Sequence, residues 1–346
     1  MKIGFYSPYL DSLAGGERYM LTLASHWSQS HDVSLFWNTP AILHQAQDRL
    51  GMDLSHVRTV ENVFGTRNIF RKMIVSRGYD VIFFLTDGSV PTTFARYNIL
   101  HFQVPFQHIQ VHPIKLNRFQ SIVCNSDFTK RNIDARLGKR AAVIYPPVIP
   151  ISHSRVTKKN IIFSVGRFHP LKKQDVLIEA FRLGLKKGQF ENYELVLTGG
   201  LLAADESYLK RLKTSAKNLP VRIVTNISFS KLTSFYNEAS VYWHGAGYHE
   251  TNPERMEHFG ISTVEAMSAG AVPVVYNGGG LPEIVRPGED GFLWVKTEDL
   301  VSQTARIIAS DKLRRELSKS SIERSVRFSD EQFTAAFDEL LTKIIR

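Results

Sequence analysis

Short apolar runs, each closed by a glycine or polar loop and followed by a helical stretch, recur along this chain and leave it few folds to adopt. Near the start, KIGFYSP leads into YLDSLAGGE, which carries Gly15 and Gly16. A helix follows from about Glu17, with Tyr19, Met20, Leu23, Ala24 and Trp27 at helical spacing. HDVSLFW, DVIFFLTD, ILHFQVP and the start of SIVCNSDFTKRNI read as further strands, and Ser126 or Asp127 caps the helix after the last. The pattern then breaks at AAVIYPPVIPISHSRVTKKN, where strand VIY runs into Pro146, Pro147 and Pro150. Prolines make an extended, stiff link there and donate nothing to a sheet. Beyond the link, IIFSVG, YELVLTGG, VRIVTN, VYWHGAG and VPVVYN resume the alternation, with a helix from about Lys173 or Gln174. Strand followed by helix, repeated, predicts an α/β chain with parallel sheets covered on both faces. Its 346 residues suffice for two domains, placed at 1–150 and 151–330. Residues 39–79 are less regular.

Composition narrows the function classes. Cys124 is the single cysteine, so an intrachain disulfide and a multi-cysteine zinc site are excluded, and its setting in QSIVCNSDF is that of a small apolar strand residue. Met1-Lys2 passes directly into a strand, and no run of 18 apolar residues occurs, so neither a secretion signal nor a membrane span is expected. The expected location is cytoplasmic or peripheral on the inner face of the membrane. The net charge of +10 suits nucleic acid, anionic lipid or a phosphorylated ligand. No nucleic-acid motif accompanies it, so no nucleic-acid partner is expected. TRNIFRKMIVSRG, around 66–77, places Arg67, Arg71, Lys72 and Arg77 among Ile69, Phe70, Met73, Ile74 and Val75. It reads either as a surface helix with one face packed or as a basic patch for a membrane surface.

The chemistry concentrates between Val241 and Pro287. EHFGISTVEAMSAG carries Glu257 and Glu265 eight positions apart, with a tight turn at Phe259-Gly260 between them and a helix from about Ile261 to a stop near Gly270. A helix start offers unpaired N–H groups and partial positive charge to phosphate, and a glycine there lets backbone approach a ligand. Carboxylates beside such a turn suit hydroxyls rather than phosphate. A nucleoside-diphosphate sugar satisfies all three features, although the same spacing also describes solvated charges around an ordinary helix. Two more stretches have phosphate-approach geometry. Gly15 and Gly16 lie between a strand and a helix. Arg167 and Lys172 flank a loop at the C-terminal end of a strand, where ligands bind in open α/β sheets; Lys173 is the alternative to Lys172. Gly199 and Gly200, ending another strand, leave room for a base.

EHFGISTVEAMSAGAVPVV followed by NGGGLPEIV resembles the donor-site signature of family-4 retaining glycosyltransferases of the GT-B fold, in which two glutamates are separated by seven residues. The resemblance covers most of the chain, strongest over 160–290 and weak over 39–79. It implies two Rossmann-like domains with parallel sheets facing a central cleft: an acceptor domain at 1–150, on which a final helix at about 331–346 packs back, and a nucleotide-sugar donor domain at 151–330. Residue by residue, it implies that Glu257 contacts the hydroxyls of the transferred sugar, that backbone at Gly260 and Ile261, after Phe259, meets diphosphate or sugar, and that Glu265 holds the ribose. Arg167 and Lys172 neutralise the departing diphosphate, while Gly15 and Gly16 approach it from the first domain. A histidine following a strand of the first domain faces the sugar in this family; here that is His101, with His108 and His112 as rivals. One departure stands out: GYHETNPERMEHFG is a longer and more charged approach to Glu257 than many relatives have.

The function expected is therefore transfer of a hexose, with glucose from UDP-glucose the first choice, to a saccharide or lipid-linked acceptor in envelope or exopolysaccharide synthesis. A GDP-mannose-dependent mannosyltransferase is the alternative, and a nucleotide-sugar epimerase on the same fold a further one. A non-catalytic sugar-nucleotide sensor would not need the full charged set, and a glycosidase would want its carboxylates across one glycosidic bond. No metal and no cofactor is expected, the nucleotide sugar being a substrate.

Overall fold

A computed structural model describes residues 1–13, 15–110, 112–151 and 156–346. Ala14 of the glycine loop, Val111 of QHIQVH and 152–155 of the proline-rich link lie outside the described residues. The chain divides into two compact units, Met1–Pro147 with Asp330–Arg346, and Val148–Ser329.

The first unit holds seven strands among the described residues: β1 (Lys2–Tyr6), β2 (Asp32–Phe36), β3 (Val57–Val60), β4 (Val81–Leu85), β5 (Tyr97–Phe102), β6 (Ser121–Cys124) and β7 (Ala141–Val143). They pair in the order β3-β2-β1-β4-β5-β6-β7, every pair parallel. Continuous apolar sequence causes this: β4 reads VIFFL and is buried along its whole length, as a parallel strand covered on both faces must be. On one face, the helix Gly15–Ser28 buries Tyr19, Met20, Leu23 and Trp27, and the closing helix Asp330–Ile345 adds Phe333, Phe337 and Leu341 to the same core. Trp27 Nε1 donates to Asp338 Oδ1 at 2.8 Å, tying the two helices. The opposite face packs Phe36, Phe64, Phe84, Phe102 and Phe119. Cys124 lies in that core, and burial pushes its thiol up to about 12, which suits a packing residue.

Three local differences from the sequence reading have physical causes. The stretch 39–79 contains a helix, Ala41–Leu50, and the edge strand β3. Only the first residue of β3 is fully buried, so its sequence, VRTV, lacks an apolar run. Strand β7 ends at Val143 rather than extending to Tyr145, because its register is set by pairing with Ile122–Cys124. The first helix begins at Gly15, so the glycine pair forms its opening turn instead of a loop.

The second unit holds β8 (Lys159–Val165), β9 (Glu194–Gly199), β10 (Val221–Thr225), β11 (Ala239–His244), β12 (Val272–Tyr276) and β13 (Phe292–Trp294). Their order is β10-β9-β8-β11-β12-β13, again all parallel. The three residues of β13 are too few to show periodicity, and the sequence reading missed them. The sheet order reverses between β8 and β11, and the crevice at the carboxyl ends of such a pair is where open α/β sheets bind ligands. Trp243 and Trp294 fill the core; their indoles donate to Thr304 Oγ1 at 2.8 Å and to the His244 carbonyl at 3.2 Å.

Lys158 stands just before β8 and supports this arrangement from below. Its ammonium donates to the carbonyls of Ala269, at 2.6 Å, and Tyr236, at 3.4 Å, the C-terminal ends of the helices Ile261–Ser268 and Phe229–Glu238. Burial first, and then the charge of Arg314, lower its pKa to about 7 from the usual 10.5. Between those values the unfolded chain binds the extra proton, so the contribution of Lys158 to stability rises with pH from about 7 towards 10.5. We predict that Lys158→Met removes this rise, which is at most about 1.4 kcal/mol per pH unit. Urea melts of both proteins from pH 6.5 to 10 check it; parallel curves would discard this account.

Candidate functional site

The site is built where β8 and β11 end. After β8 the chain passes through Gly166 and Arg167, makes a single turn at Pro170–Lys172 and enters the helix Gln174–Lys186. Lys173 joins turn to helix with φ of +56°, a left-handed conformation that an ordinary side chain adopts only under constraint. Gln174 fixes the loop from beneath, its Nε2 donating to the carbonyls of Arg167 at 3.0 Å and Gly166 at 3.3 Å. Gly199, at the end of β9, lies against the same loop: a Cβ there would meet the Gly166 carbonyl oxygen at 2.0 Å. Glycine is therefore required by close backbone approach. Beside it opens a cavity of about 400 Å³, lined among others by Gly166, Arg167, Gly199, Gly200, Asn226 and Leu232.

Glu257 is the centre of the charged cluster. Its Oε2 accepts from Lys172 Nζ at 2.7 Å and lies 3.3 Å from His244 Nε2, at the last residue of β11. Burial alone would raise this carboxyl; Lys172 and His244 outweigh burial and hold it well below the usual carboxylate range. The second lysine goes elsewhere. Lys173 Nζ donates to Glu250 at 2.7 Å, and Arg255 approaches the same carboxylate at 3.4 Å. The two candidate cations are thus separated, Lys172 to Glu257 and Lys173 to the long charged loop.

The backbone of Glu257 is held by the glycine turn Gly278-Gly279-Gly280. Gly280 N–H donates to the Glu257 carbonyl at 2.8 Å. A Cβ at Gly279 would lie 2.1 Å from that same carbonyl oxygen, and one at Gly280 would lie 2.4 Å from the His258 carbonyl oxygen. The glycines downstream of the two glutamates are accordingly part of the site, serving to seat Glu257. Phe259 is buried and packs on Phe328 at 5.4 Å between ring centroids, so its side chain anchors the turn. Gly260, at φ of +119°, precedes Ile261, the first residue of the helix Ile261–Ser268. Glu265 rides on that helix and accepts from the Tyr236 hydroxyl at 2.7 Å. Burial, and then the charge of Glu265, raise the pKa of Tyr236 well above its usual value, so it remains a donor. Tyr242 feels both Glu265 and Glu257, and its hydroxyl donates to Ser262 Oγ at 2.8 Å.

Arg167 lines the cavity, and its guanidinium faces Asp205 at 4.0 Å rather than Glu257. Gly15 and Gly16 belong to the first unit, where a Cβ at Gly16 would meet Gln103 Oε1 at 2.3 Å and Gln103 Nε2 donates to the Gly16 carbonyl at 3.0 Å. His101 was expected to face a sugar; the structure seats it fully buried in β5, stacked on Tyr19 at 4.0 Å. Its Nδ1 lies 3.2 Å from the Val123 carbonyl, Nε2 has no hydrogen-bond partner, and burial pulls its pKa down to about 3. A central strand covered on both faces accounts for that position. His108 is exposed, and His112 caps a short helix by accepting from Ile114 N–H.

Sequence reasoning did not single out His244, Tyr236, Asp205 or the roles of Glu250 and Arg255. For His244 a signal was present, a polar residue ending an apolar strand just before a glycine. Chemically, the cluster offers a carboxylate kept ionised, an adjacent ammonium and the N–H groups of a helix start. That set suits a ligand carrying both hydroxyls and phosphate.

Residues 148–324 match the family model described as glycosyl transferases group 1. In sequence the chain is similar to the Mus musculus GDP-Man:Man(3)GlcNAc(2)-PP-Dol alpha-1,2-mannosyltransferase, 31% identical over 247 residues, which are 64% of this chain and 49% of the relative. It spans about half the length of the curated relatives it matches. In fold it is similar to a Rickettsia africae glycosyltransferase, with a TM-score of 0.78 at 15% identity over 100% of this chain and 98% of the other. It is likewise similar to Anabaena HepE in complex with UDP and glucose, with a TM-score of 0.73 at 18% identity over 99% and 100% of the two chains.

Proposed function

The chain belongs to the glycosyl transferases group 1, and from that premise we propose that it transfers mannose from GDP-mannose to a saccharide or lipid-linked acceptor, with retention at the anomeric carbon. The observation that carries a nucleotide-sugar reading is the Lys172–Glu257 contact of 2.7 Å at the carboxyl ends of β8 and β11. In this reading Glu257 accepts from hydroxyls of the sugar, and Glu265 from those of the ribose. Lys172, Arg167 and the helix start at Gly260 neutralise the diphosphate, and the cavity between Gly199 and Leu232 takes the base. The anomeric carbon–oxygen bond to the diphosphate breaks, the bond to the acceptor oxygen forms on the same face, and the acceptor proton passes to a diphosphate oxygen. Positive charge placed where the leaving group gains negative charge supplies the acceleration.

UDP-glucose, the first choice from sequence, gives way to GDP-mannose. The Mus musculus and Homo sapiens relatives alike in sequence are named as GDP-Man enzymes, at 31% and 30% identity over 64% and 65% of the chain. Likeness to the complex with UDP and glucose, at 18% identity, speaks for the fold alone. The decisive measurement is thermal stabilisation by GDP, UDP, ADP and CDP, each with and without magnesium. GDP alone is expected to raise the melting temperature, with or without the metal; a ligand at 100 times its Kd stabilises by about 2.7 kcal/mol. A shift with UDP only would return the reading to UDP-glucose, and no shift with any of the four would remove the nucleotide site. Product analysis of GDP-mannose without acceptor separates transfer from epimerisation.

A further inference from the structure

The helix Ile69–Ser76 of the first unit is barely embedded. Only Ser76 is fully buried in it, while Phe70 and Ile74, one turn apart, are each 71% exposed and Ile69 is 52% exposed. Ile114, in the short helix Pro113–Leu116, is also 71% exposed. Lys115 beside it lies close enough to Lys72 that, after burial, its charge lowers the Lys72 ammonium. Arg67, Arg71, Arg77 and Lys115, in or beside the same two helices, are exposed, and Arg71 pairs with Glu61. The helix nevertheless has a defined start and anchor. Asn68 caps it, accepting from Arg71 N–H at 3.0 Å, and Ser76 Oγ accepts from Phe94 N–H at 2.9 Å while donating to the Lys72 carbonyl.

We propose that these exposed residues, Phe70, Ile74, Ile69 and Ile114 together with the cations Arg67, Arg71, Lys72 and Lys115 of the same two segments, seat the protein on an anionic lipid surface. Large side chains standing clear of the fold are shaped to enter the boundary between headgroups and acyl chains, and the surrounding cations complement acidic headgroups. A second copy of the chain is the poorer occupant. A symmetric contact would set the same cations against one another, in a molecule already carrying +10. Among the described residues no helix is long and apolar enough to cross a membrane, so attachment through this face is peripheral. The inference holds whichever sugar is transferred.

Sedimentation of the full chain with vesicles tests it. Phosphatidylcholine vesicles with about 30% phosphatidylserine are expected to bind the protein, and plain phosphatidylcholine to bind it at least about tenfold more weakly, with binding falling as salt rises. Phe70→Ser with Ile74→Ser, and separately Arg67→Glu with Lys115→Glu, are each expected to weaken binding about tenfold or more. All four side chains are largely exposed, so the melting temperature and the response to GDP should stay those of the parent, which separates failure of this proposal from failure of the nucleotide site. Equal binding by parent and variants overturns the proposal. So does a parent that ignores vesicles and instead forms a dimer that Phe70→Ser with Ile74→Ser disperses.

Discussion

Lys172→Ala is expected to lower turnover about 10²- to 10³-fold, the loss typical when one preorganised group facing developing negative charge is removed. Two effects add. In the proposed complex the departing diphosphate loses an ammonium, and Glu257 loses the partner 2.7 Å away that holds its carboxyl down. Burial, the opposing influence on Glu257, then acts against His244 alone, so the acid limb of the pH–rate profile should move upwards. Lys173→Ala is the internal control. It is the same residue type one position on, but it pairs with Glu250, and its loss should cost less than about tenfold. A Lys172→Ala enzyme within about threefold of the parent would remove Lys172 from the chemistry. If both lysine variants fell equally, the separation of roles would be wrong even with the site intact.

Gly279→Ala is expected to be strongly destabilising. Its φ of +64° costs an ordinary residue about 1–2 kcal/mol, and the new Cβ would lie 2.1 Å from the Glu257 carbonyl oxygen. Backbone on both sides cannot give way as a flexible side chain would. Overpacking adds about 1–3 kcal/mol, for a total of roughly 3 kcal/mol and a fall in melting temperature of roughly 6–12 °C. Because the displaced atom belongs to Glu257, the residue placed at the sugar, stabilisation by GDP-mannose should fall as well. Gly288→Ala isolates the cause: its φ of +82° carries the same conformational cost, yet nothing lies within 4 Å of the added Cβ. Gly288→Ala should therefore lose only about 1–2 kcal/mol and keep its nucleotide response. Equal melting temperatures for the two variants would show that close approach to Glu257 contributes nothing.

Much of the architecture was legible because parallel strands buried on both faces must be written as apolar runs. IIFSVG, VPVVY and VIFFL could hardly be anything else. Strands with few buried residues left no such trace, as β3 shows with VRTV and β13 with only three residues. The positions of Glu257 ahead of a helix and Glu265 within it were also readable, since a glycine turn and one apolar helical stripe lie within a few residues of both.

By itself, then, the sequence determined the α/β alternation of strand and helix and the helix start near Gly260. Only the tertiary structure decided the partners. Lys172 rather than Lys173 meets Glu257, 85 positions away in sequence; His244 joins them; Arg167 turns to Asp205; and His101 is enclosed behind Tyr19. The reason is one of range. Backbone conformation follows from neighbours a few residues apart, whereas side-chain pairing between β8 and β11 depends on strand order and register, set by the packing of the complete sheet.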